Sequence, residues 1–508
     1  EQVYIHTDRE IYVAGENLFF KLYLLNGLNF ELSRVAYIVL RNANQKTILK
    51  TRVWLSNNSG YGHIYIPDTL SSGQYQLVSY TNWMRGDHEQ YCFTKELLII
   101  NRFDEGFSEM ENSFVGSNIE FRNDSIINNS HSNLQTSDLL KLSVEKDEYS
   151  PRSKISMKID FSSEEKEDSL VNLSISVVDL SSYFQQRKSL ITDCYQKFVE
   201  GVNKRGNPIH YKDIESEGLI ISGKLIKGDL EDVTNKVVFL STPDSIVNLQ
   251  YQVTDSNGEF RFMIGNYYEG KDLYIKPFTL MPNPKLGISV EDKYSLSTPY
   301  TPTSILLGKG QIDQIKKSQS IATVNKAYGT EITTKVDSRF SFYHCPQLYS
   351  RPDQRVFPSD YITINRFDEL IREIIYGVRI RKRNNNAVSI LDSRLNTYFE
   401  NSSFIFLDGV LIDHLDEIID FGTNKIDRID VINSTWIIDN LSIPGILSVF
   451  TRENEIGHLK NSSKNHLVYP VGEYLPRTKF AAPEYNLSNK SNRTPDFRQL
   501  LYWNPQEF

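Results

Sequence analysis

A period-two alternation of apolar residues through the first hundred positions constrains this chain more than any other feature. Val3 and Ile5, then Leu18, Phe20, Leu22 and Leu24, then Ile38 and Leu40, then Tyr75 and Leu77 each fall on one face of an extended strand. Turn signals at Ala14-Gly15, Asn58-Ser59-Gly60 and Ser72-Gly73 separate the runs. Short alternating strands with that punctuation predict an antiparallel β-sandwich over residues 1–101. Wound as a helix, the same residues would scatter their apolar side chains around the axis.

Length sets the number of cores. A chain of 508 residues exceeds what one core supports and divides into roughly three to five domains. No apolar run approaches the ~20 residues that a membrane helix requires. A net charge of -8 argues against a nucleic-acid partner, whose phosphates call for clustered Lys and Arg. Cys92, Cys194 and Cys345 are too few for a disulfide scaffold, and their odd number leaves at least one thiol free or paired elsewhere.

Residues 102–137 are rich in Asn, Ser, Asp and Glu and read as a linker or long loop. A second sandwich with a polar insertion is expected over 138–217, from Leu142–Pro151 and the alternating strand Leu173–Asp179, with one helix expected around Leu190–Val202. A third is expected over 218–300, where Asn257-Gly258 between alternating segments reads as a tight hairpin. Residues 326–455 mix periods. Phe367, Leu370, Ile371, Ile374 and Ile375 form a helical stripe with Asn365 placed to cap it. From Phe404 the chain reads strand, Asp408-Gly409 turn, a helical stretch with Leu415, Ile418 and Ile419, then strands at Ile426–Val431 and Gly445–Thr451. Residues 456–508 read as an extended C-terminal segment.

Four of these stretches resemble three known families. Thr7, Asp8, Arg9, Tyr12 and Gly15, with Gly73-Gln74-Tyr75-Gln76-Leu77 later, resemble the macroglobulin-like (MG2) domain of the alpha-2-macroglobulin and complement family, and Leu142–Pro151 resembles the same opening. Thr254–Phe262 resembles the carboxypeptidase-regulatory-like domain, a transthyretin-like sandwich without enzymatic role. Leu407-Asp408-Gly409-Val410, Ile426-Asp427-Arg428-Ile429-Asp430-Val431 and Gly445–Thr451 resemble the plug domain of TonB-dependent outer-membrane receptors. The residues after Thr451 are too few for a receptor's barrel. The combination is similar to Bacteroidetes cell-envelope proteins that join macroglobulin-like domains to a barrel-less plug. Such proteins continue past a Tyr-Trp-Asn-Pro segment like Tyr502–Pro505, so truncation is expected. The start at Glu1, already in a strand pattern, fits removal of a signal peptide.

The resemblance implies a mainly β, multidomain chain: tandem β-sandwiches, macroglobulin/Ig-like and transthyretin-like, followed by an α+β plug-like domain. It also implies a non-enzymatic scaffold or accessory protein, exported and associated with the outer membrane without a transmembrane helix. Its expected partner is an outer-membrane β-barrel or an export or assembly complex. The competing expectation is a surface protein that binds carbohydrate or peptide for nutrient capture.

Local chemistry is sparse. None of the cysteines sits in a Cys-Gly-Glu-Gln thioester run, and no Gly-x-Ser-x-Gly, phosphate-cradling glycine loop or His-Glu-x-x-His occurs. No catalytic, cofactor or metal residue is assigned. His458 and His466, the closest histidine pair, lack zinc spacing, and His344-Cys345 reads as an ordinary dipeptide before a ligand pair. Asp413, Asp416, Glu417 and Asp420 read as a solvated helix face. Arg379, Arg381, Lys382 and Arg383 alternate like an exposed strand face, open to an acidic partner or lipid headgroup. Trp83 and Trp503 read as packing residues. Triplets at Asp68, Asp124, Asp168 and Asp244 resemble the O-glycosylation sequon of Bacteroidetes exported proteins.

Overall fold

The computed structural model describes residues 1–25, 32–87, 92–104, 140–161, 172–178, 191, 194–195, 213–226, 232–278, 286–295, 309–328, 333–336, 347–361, 364–381, 387–399, 403–413, 415–419, 421–438, 440–453, 456, 466–483, 485 and 496–505. The chain is mainly β and forms two compact units. The first comprises residues 1–216, 294–340 and 474–508, the second residues 217–293 and 341–473.

The first unit opens with a sandwich. Its strands are β1 (Gln2–Thr7), β2 (Ile11–Val13), β3 (Asn17–Leu25), β4 (Val35–Asn42), β5 (Thr47–Trp54), β6 (Ser59–Tyr65), β7 (Gly73–Tyr80) and β8 (Phe93–Ile100). They form two sheets, β1-β3-β6 and β2-β8-β7-β4-β5, with β2 parallel to β8. Val3, Ile5, Leu18, Phe20, Leu22, Leu24, Ile38, Leu40 and Leu77 are all buried, as alternation requires. Gly15 takes the left-handed conformation at φ 95°. The next turn is centred on Asn57 and Asn58, both left-handed, one residue earlier than the Asn58-Ser59-Gly60 signal suggests.

β4 departs from the simple pattern, because seven of its eight residues are buried. Its second face carries Tyr37, which stacks on Tyr80, meets the edge of Tyr294 and donates to Glu215 at 2.9 Å. The outer face of β1-β3-β6 is likewise covered, by segments from the far end of the chain. Thr478–Ala481 pairs with Thr333–Val336, and Leu500–Asn504 pairs with Ile175–Val178. Phe19, Leu500 and Trp503 form one buried cluster there. Each such side chain removed from water is worth ~2 kcal/mol. Leu140–Val144 and Met157–Phe161 make a separate antiparallel pair. Of the helix expected around Leu190–Val202, only Ile191, Cys194 and Tyr195 are described, all three helical.

A 20-residue helix, α1 (Lys309–Tyr328), has no counterpart in the sequence reading. Ile312 and Ile315 pack on Ile11, Leu98 and Ile100, so the helix sits on the β2–β8 pair. Among its described side chains Ile312 and Ile315 are the buried apolar ones, joined by the polar Ser318, which is too sparse a stripe to stand out.

In the second unit, Glu259–Ile264, Leu219–Ile226 and Gly287–Val290 form one sheet. Gln250–Val253, Val237–Ser241, Asp272–Pro277 and Leu467–Pro470 form another. The strands flanking Asn257-Gly258 thus belong to different sheets, and the turn is a corner rather than the expected hairpin. Only Gly258 is left-handed, at φ 78°. The Asp255 carboxylate ties the corner by accepting the N–H groups of Asn257 and Glu259 at 2.8 and 2.9 Å.

A five-stranded mixed sheet follows, in the order Gln354–Val356, Ile426–Ile438, Leu441–Thr451, Phe404–Leu407, Val410–Ile412. Ile405, Leu407, Ile429, Val431, Leu447 and Val449 bury on one side, against α2 (Phe367–Ile374). Phe404, Phe406, Ile432, Ile446 and Phe450 bury on the other, against Phe239, Val247 and Leu249 of the sandwich. Burial on both faces explains the continuous apolar runs of these strands. The N-cap of α2 is Arg366, without a side-chain cap bond, so Asn365 does not cap the helix as expected. Its carbonyl instead accepts the Thr423 N–H at 3.2 Å. The expected helix at Leu415 is a single 3-10 turn, Leu415–Glu417, because one turn suffices to bury Leu415 and Ile418.

Candidate functional site

Three separated pieces of the second unit converge on one turn. Asp408 and Gly409 are both left-handed, at φ 46° and 84°, and connect Phe404–Leu407 to Val410–Ile412. A side chain at Gly409 would lie 2.7 Å from the Ile246 carbonyl oxygen and 3.0 Å from that of Thr242, so only glycine fits. The Asp408 carboxylate accepts the Thr451 N–H at 2.6 Å and its hydroxyl at 2.7 Å. The Asp408 carbonyl accepts the Asp244 N–H at 2.9 Å. Asp430, 1% exposed, accepts a bidentate pair from Arg355 at 2.7 and 2.9 Å. Arg428 lies over the Phe450 ring at 3.9 Å and donates to the Ser245 carbonyl. The motif residues Asp408, Arg428, Asp430 and Thr451 therefore act as structural ties.

Beside this turn lies an open cavity of ≈ 350 Å³ lined by Asn266, Tyr267, Glu269, Lys271 and Glu473. Asp244 accepts from the Tyr267 hydroxyl at 2.5 Å and from Lys271 at 2.6 Å, and the Lys271 ammonium stands 3.5 Å from the Tyr267 ring centroid. Burial opposes ionisation of Asp244, but the bonds from Lys271 and Tyr267 outweigh it and hold the carboxyl below its ordinary pKa. The recess offers polar groups and one ring to a ligand, and no nucleophile paired with a base. Sequence reading missed it, since Asn266–Lys271 carries no recognised motif and nothing in the sequence places Glu473 or Asp244 beside it. Only the Asp244 triplet drew notice, for a different reason.

Two hydroxyl–imidazole contacts in the first unit invite a catalytic reading. His6 Nδ1 lies 2.6 Å from Ser174 Oγ, which also accepts the Tyr23 hydroxyl at 2.6 Å, and His63 Nδ1 lies 2.7 Å from Thr478 Oγ1. Burial, with Lys95 and Lys21 nearby, pushes the His6 imidazole down to about 3. Such a ring is a poor acceptor for a serine proton. Burial also lowers His63. Both contacts are joints that fasten later segments to the outer face of β1-β3-β6.

The remaining sequence candidates are dispersed. Asp413 pairs with Lys276 at 2.6 Å. The side chains of Glu417 and Asp420 lie outside the described residues, as do His344, Cys345, His458, Lys382, Arg383, Asp124 and Asp168. No group of three or more His, Cys, Asp or Glu able to hold a metal occurs among the described residues. His466 lies against Tyr274. Cys92 is half-buried and Cys194 buried. Trp503 is buried and Trp83 half-buried. Arg379 and Arg381 are exposed, and so are the hydroxyl-bearing Thr69 and Ser245 that follow Asp68 and Asp244.

No family model matches the chain. No curated protein matches it either. Among solved structures, trypsin-activated alpha-2-macroglobulin from Escherichia coli aligns with 57% of this chain and 15% of its own, at 10% identity and a TM-score of 0.17. Salmonella alpha-2-macroglobulin reacted with methylamine aligns with 57% and 14%, at 10% identity and a TM-score of 0.18. A tetra-tandem repeat from the extending region of a large adhesion protein aligns with 57% and 74%, at 8% identity and a TM-score of 0.14. The chain thus spans 15% of the length of the first of these. The sandwich architecture described above rests on strand pairing within this chain. No helix among the described residues is long and apolar enough to cross a membrane.

Proposed function

We propose that this chain is a non-enzymatic scaffold or accessory protein, exported and associated with the outer membrane, that docks an outer-membrane barrel or an export or assembly complex. Its finer identity, a Bacteroidetes envelope protein with macroglobulin-like, carboxypeptidase-regulatory-like and plug-like domains, belongs to the same proposal. The supporting observation is the bonding of Asp408 to Thr451 within a sheet buried on both faces. The residues that resemble a receptor plug are used to build a rigid sheet, leaving partner recognition to the exposed parts of that sheet. One such part is the far end of the Ile426–Ile438 and Leu441–Thr451 hairpin, where Ile437 is 69% exposed.

The test is purification of the native protein from its envelope in mild detergent, followed by identification of near-stoichiometric companions. An outer-membrane barrel or assembly protein is the expected companion, and Ile437→Asp should reduce its recovery. A chain recovered alone would sink the reading. Deleting residues 326–455 is a poor control, because it would strip Phe239, Val247 and Leu249 of their packing partners. The cavity beside Tyr267 and Lys271 favours the second reading, a surface protein that captures carbohydrate or peptide. Saturable binding of an oligosaccharide or peptide, lost on Tyr267→Ala, would support that alternative.

A further inference from the structure

The sheet Val378–Arg381, Ala387–Asp392 and Thr397–Tyr398 ends where several turns are bonded together. The Leu391 N–H donates to the Gly377 carbonyl at 2.8 Å, and the Ser393 N–H to that of Asn433 at 2.9 Å. Gln354 Nε2 donates to the Tyr376 carbonyl at 2.9 Å, and the Asn433 N–H to Asp353 Oδ2 at 2.6 Å. These bonds bring residues 351–354, 376–377, 392–396 and 433 to one end of the second unit.

The side chains at this end have an uncommon composition. Tyr376 and Leu395 stand at turns, 70% and 72% exposed. Arg351, Arg379 and Arg394 are exposed, with the Arg379 guanidinium 4.0 Å from the Tyr398 ring centroid. The acids offer little counterbalance. Asp392 is buried and accepts the N–H groups of Arg394 and Leu395, while Asp430 is engaged by Arg355. Asp353 is the exposed carboxylate of these segments. The end is therefore locally cationic on a chain whose net charge is -8.

We propose that this end is a lipid-docking face, with Tyr376 and Leu395 entering the headgroup layer of an anionic bilayer and Arg351, Arg379 and Arg394 meeting its phosphates. The proposal deepens the reading of the chain as membrane-associated. Two features favour a lipid surface over an acidic protein. The apolar side chains project from turns, so they are shaped to insert into a partner. Tyrosine and arginine both suit the headgroup boundary, with an apolar body at one end and a polar tip at the other.

The test is co-sedimentation of the full chain with vesicles of phosphatidylglycerol and phosphatidylcholine in equal parts, against vesicles of phosphatidylcholine alone. Binding to the anionic vesicles and weakening with salt are expected. Arg379→Gln and Arg394→Gln should each weaken binding about five-fold, following the ~1 kcal/mol that each basic residue gains near an anionic surface. Tyr376→Ser with Leu395→Ser should weaken it at low and high salt alike. All four sites are exposed, so unchanged circular dichroism and thermal unfolding identify correctly folded variants. Three results would overturn the proposal: no vesicle binding, binding indifferent to all four substitutions, or capture by poly-glutamate without capture by vesicles. The vesicles contain no protein, so this experiment can fail while the envelope-partner reading stands, and the reverse.

Discussion

Asp8 in the first unit and Asp408 in the second are both buried, and both carboxylates are held by bonds that fix a turn, yet their partners lie at very different distances along the chain. Asp8 accepts the Tyr12 hydroxyl and the Phe19 N–H at 2.8 and 2.9 Å, and it pairs with the adjacent Arg9 at 3.2 Å. Arg9, 2% exposed, also reaches Glu16 at 3.2 Å. Asp408 instead binds Thr451, 43 residues away, and Asp430 binds Arg355 across 75 residues. A local knot can close as soon as its turn forms. The long-range ties close only when strands far apart in the chain have already paired.

Substitutions can sharpen or break that contrast, and hydrogen exchange resolved by peptide reads each unit separately, as a two-unit chain requires. Asp8→Ala should have the largest effect, about 3–5 kcal/mol, because it leaves the Arg9 charge buried with Glu16 as its remaining carboxylate. Faster exchange should appear across β1 and β3 and leave Ile426–Thr451 unchanged. Gly409→Ala should destabilise the second unit by about 3 kcal/mol, combining a left-handed backbone with backbone oxygen too near the new methyl. Spread of that loss into the first unit's peptides would show that the two do not unfold independently.

Acid provides the next test, because His6 and Asp8 respond in opposite directions. The His6 pKa is depressed to about 3, so its contribution is present above 6.5 and is lost as pH falls towards 3. Burial raises Asp8 to about 6 against the pull of Arg9, so its contribution is present below 3.8 and is lost as pH rises through 6. The two offset each other between pH 6 and 4. In His6→Gln the Asp8 response remains, and the first unit should gain about 2 kcal/mol over that window in pH-dependent urea unfolding. A flat profile in the variant would show that Asp8 stays ionised in its knot. Thr451→Val should have the smallest effect, about 1 kcal/mol in the second unit, since Asp408 retains the Thr451 N–H.

The same contrast explains what could be read without coordinates. Leu18, Phe20, Leu22 and Leu24 declare a half-buried strand by spacing alone, and Asp408-Gly409 declares its turn. β4 does not reveal that Tyr37 will be covered, because its cover comes from Glu215 and Tyr294. Asn257-Gly258 looks like a hairpin because the same dipeptide serves hairpins and corners, and only the placement of its strands in two sheets distinguishes them. Asn365 fails as a cap because the helix starts one residue later, with the Arg366 carbonyl accepting the Leu370 N–H. The cavity near Lys271 was illegible for the same reason as the tie between Arg355 and Asp430. Each depends on side chains that only the folded backbone makes neighbours.

The late cover over β1-β3-β6 has a consequence for the order of folding. The face carrying His6, Phe19 and His63 receives Thr478, Phe480, Leu500 and Trp503 only once synthesis has passed those late positions. Until then a nascent chain presents an aromatic platform at its front, at some risk of self-association. Any form cut before residue 474 would leave Phe19 without Phe480, Leu500 and Trp503, and would be expected to aggregate or to recruit a holding chaperone.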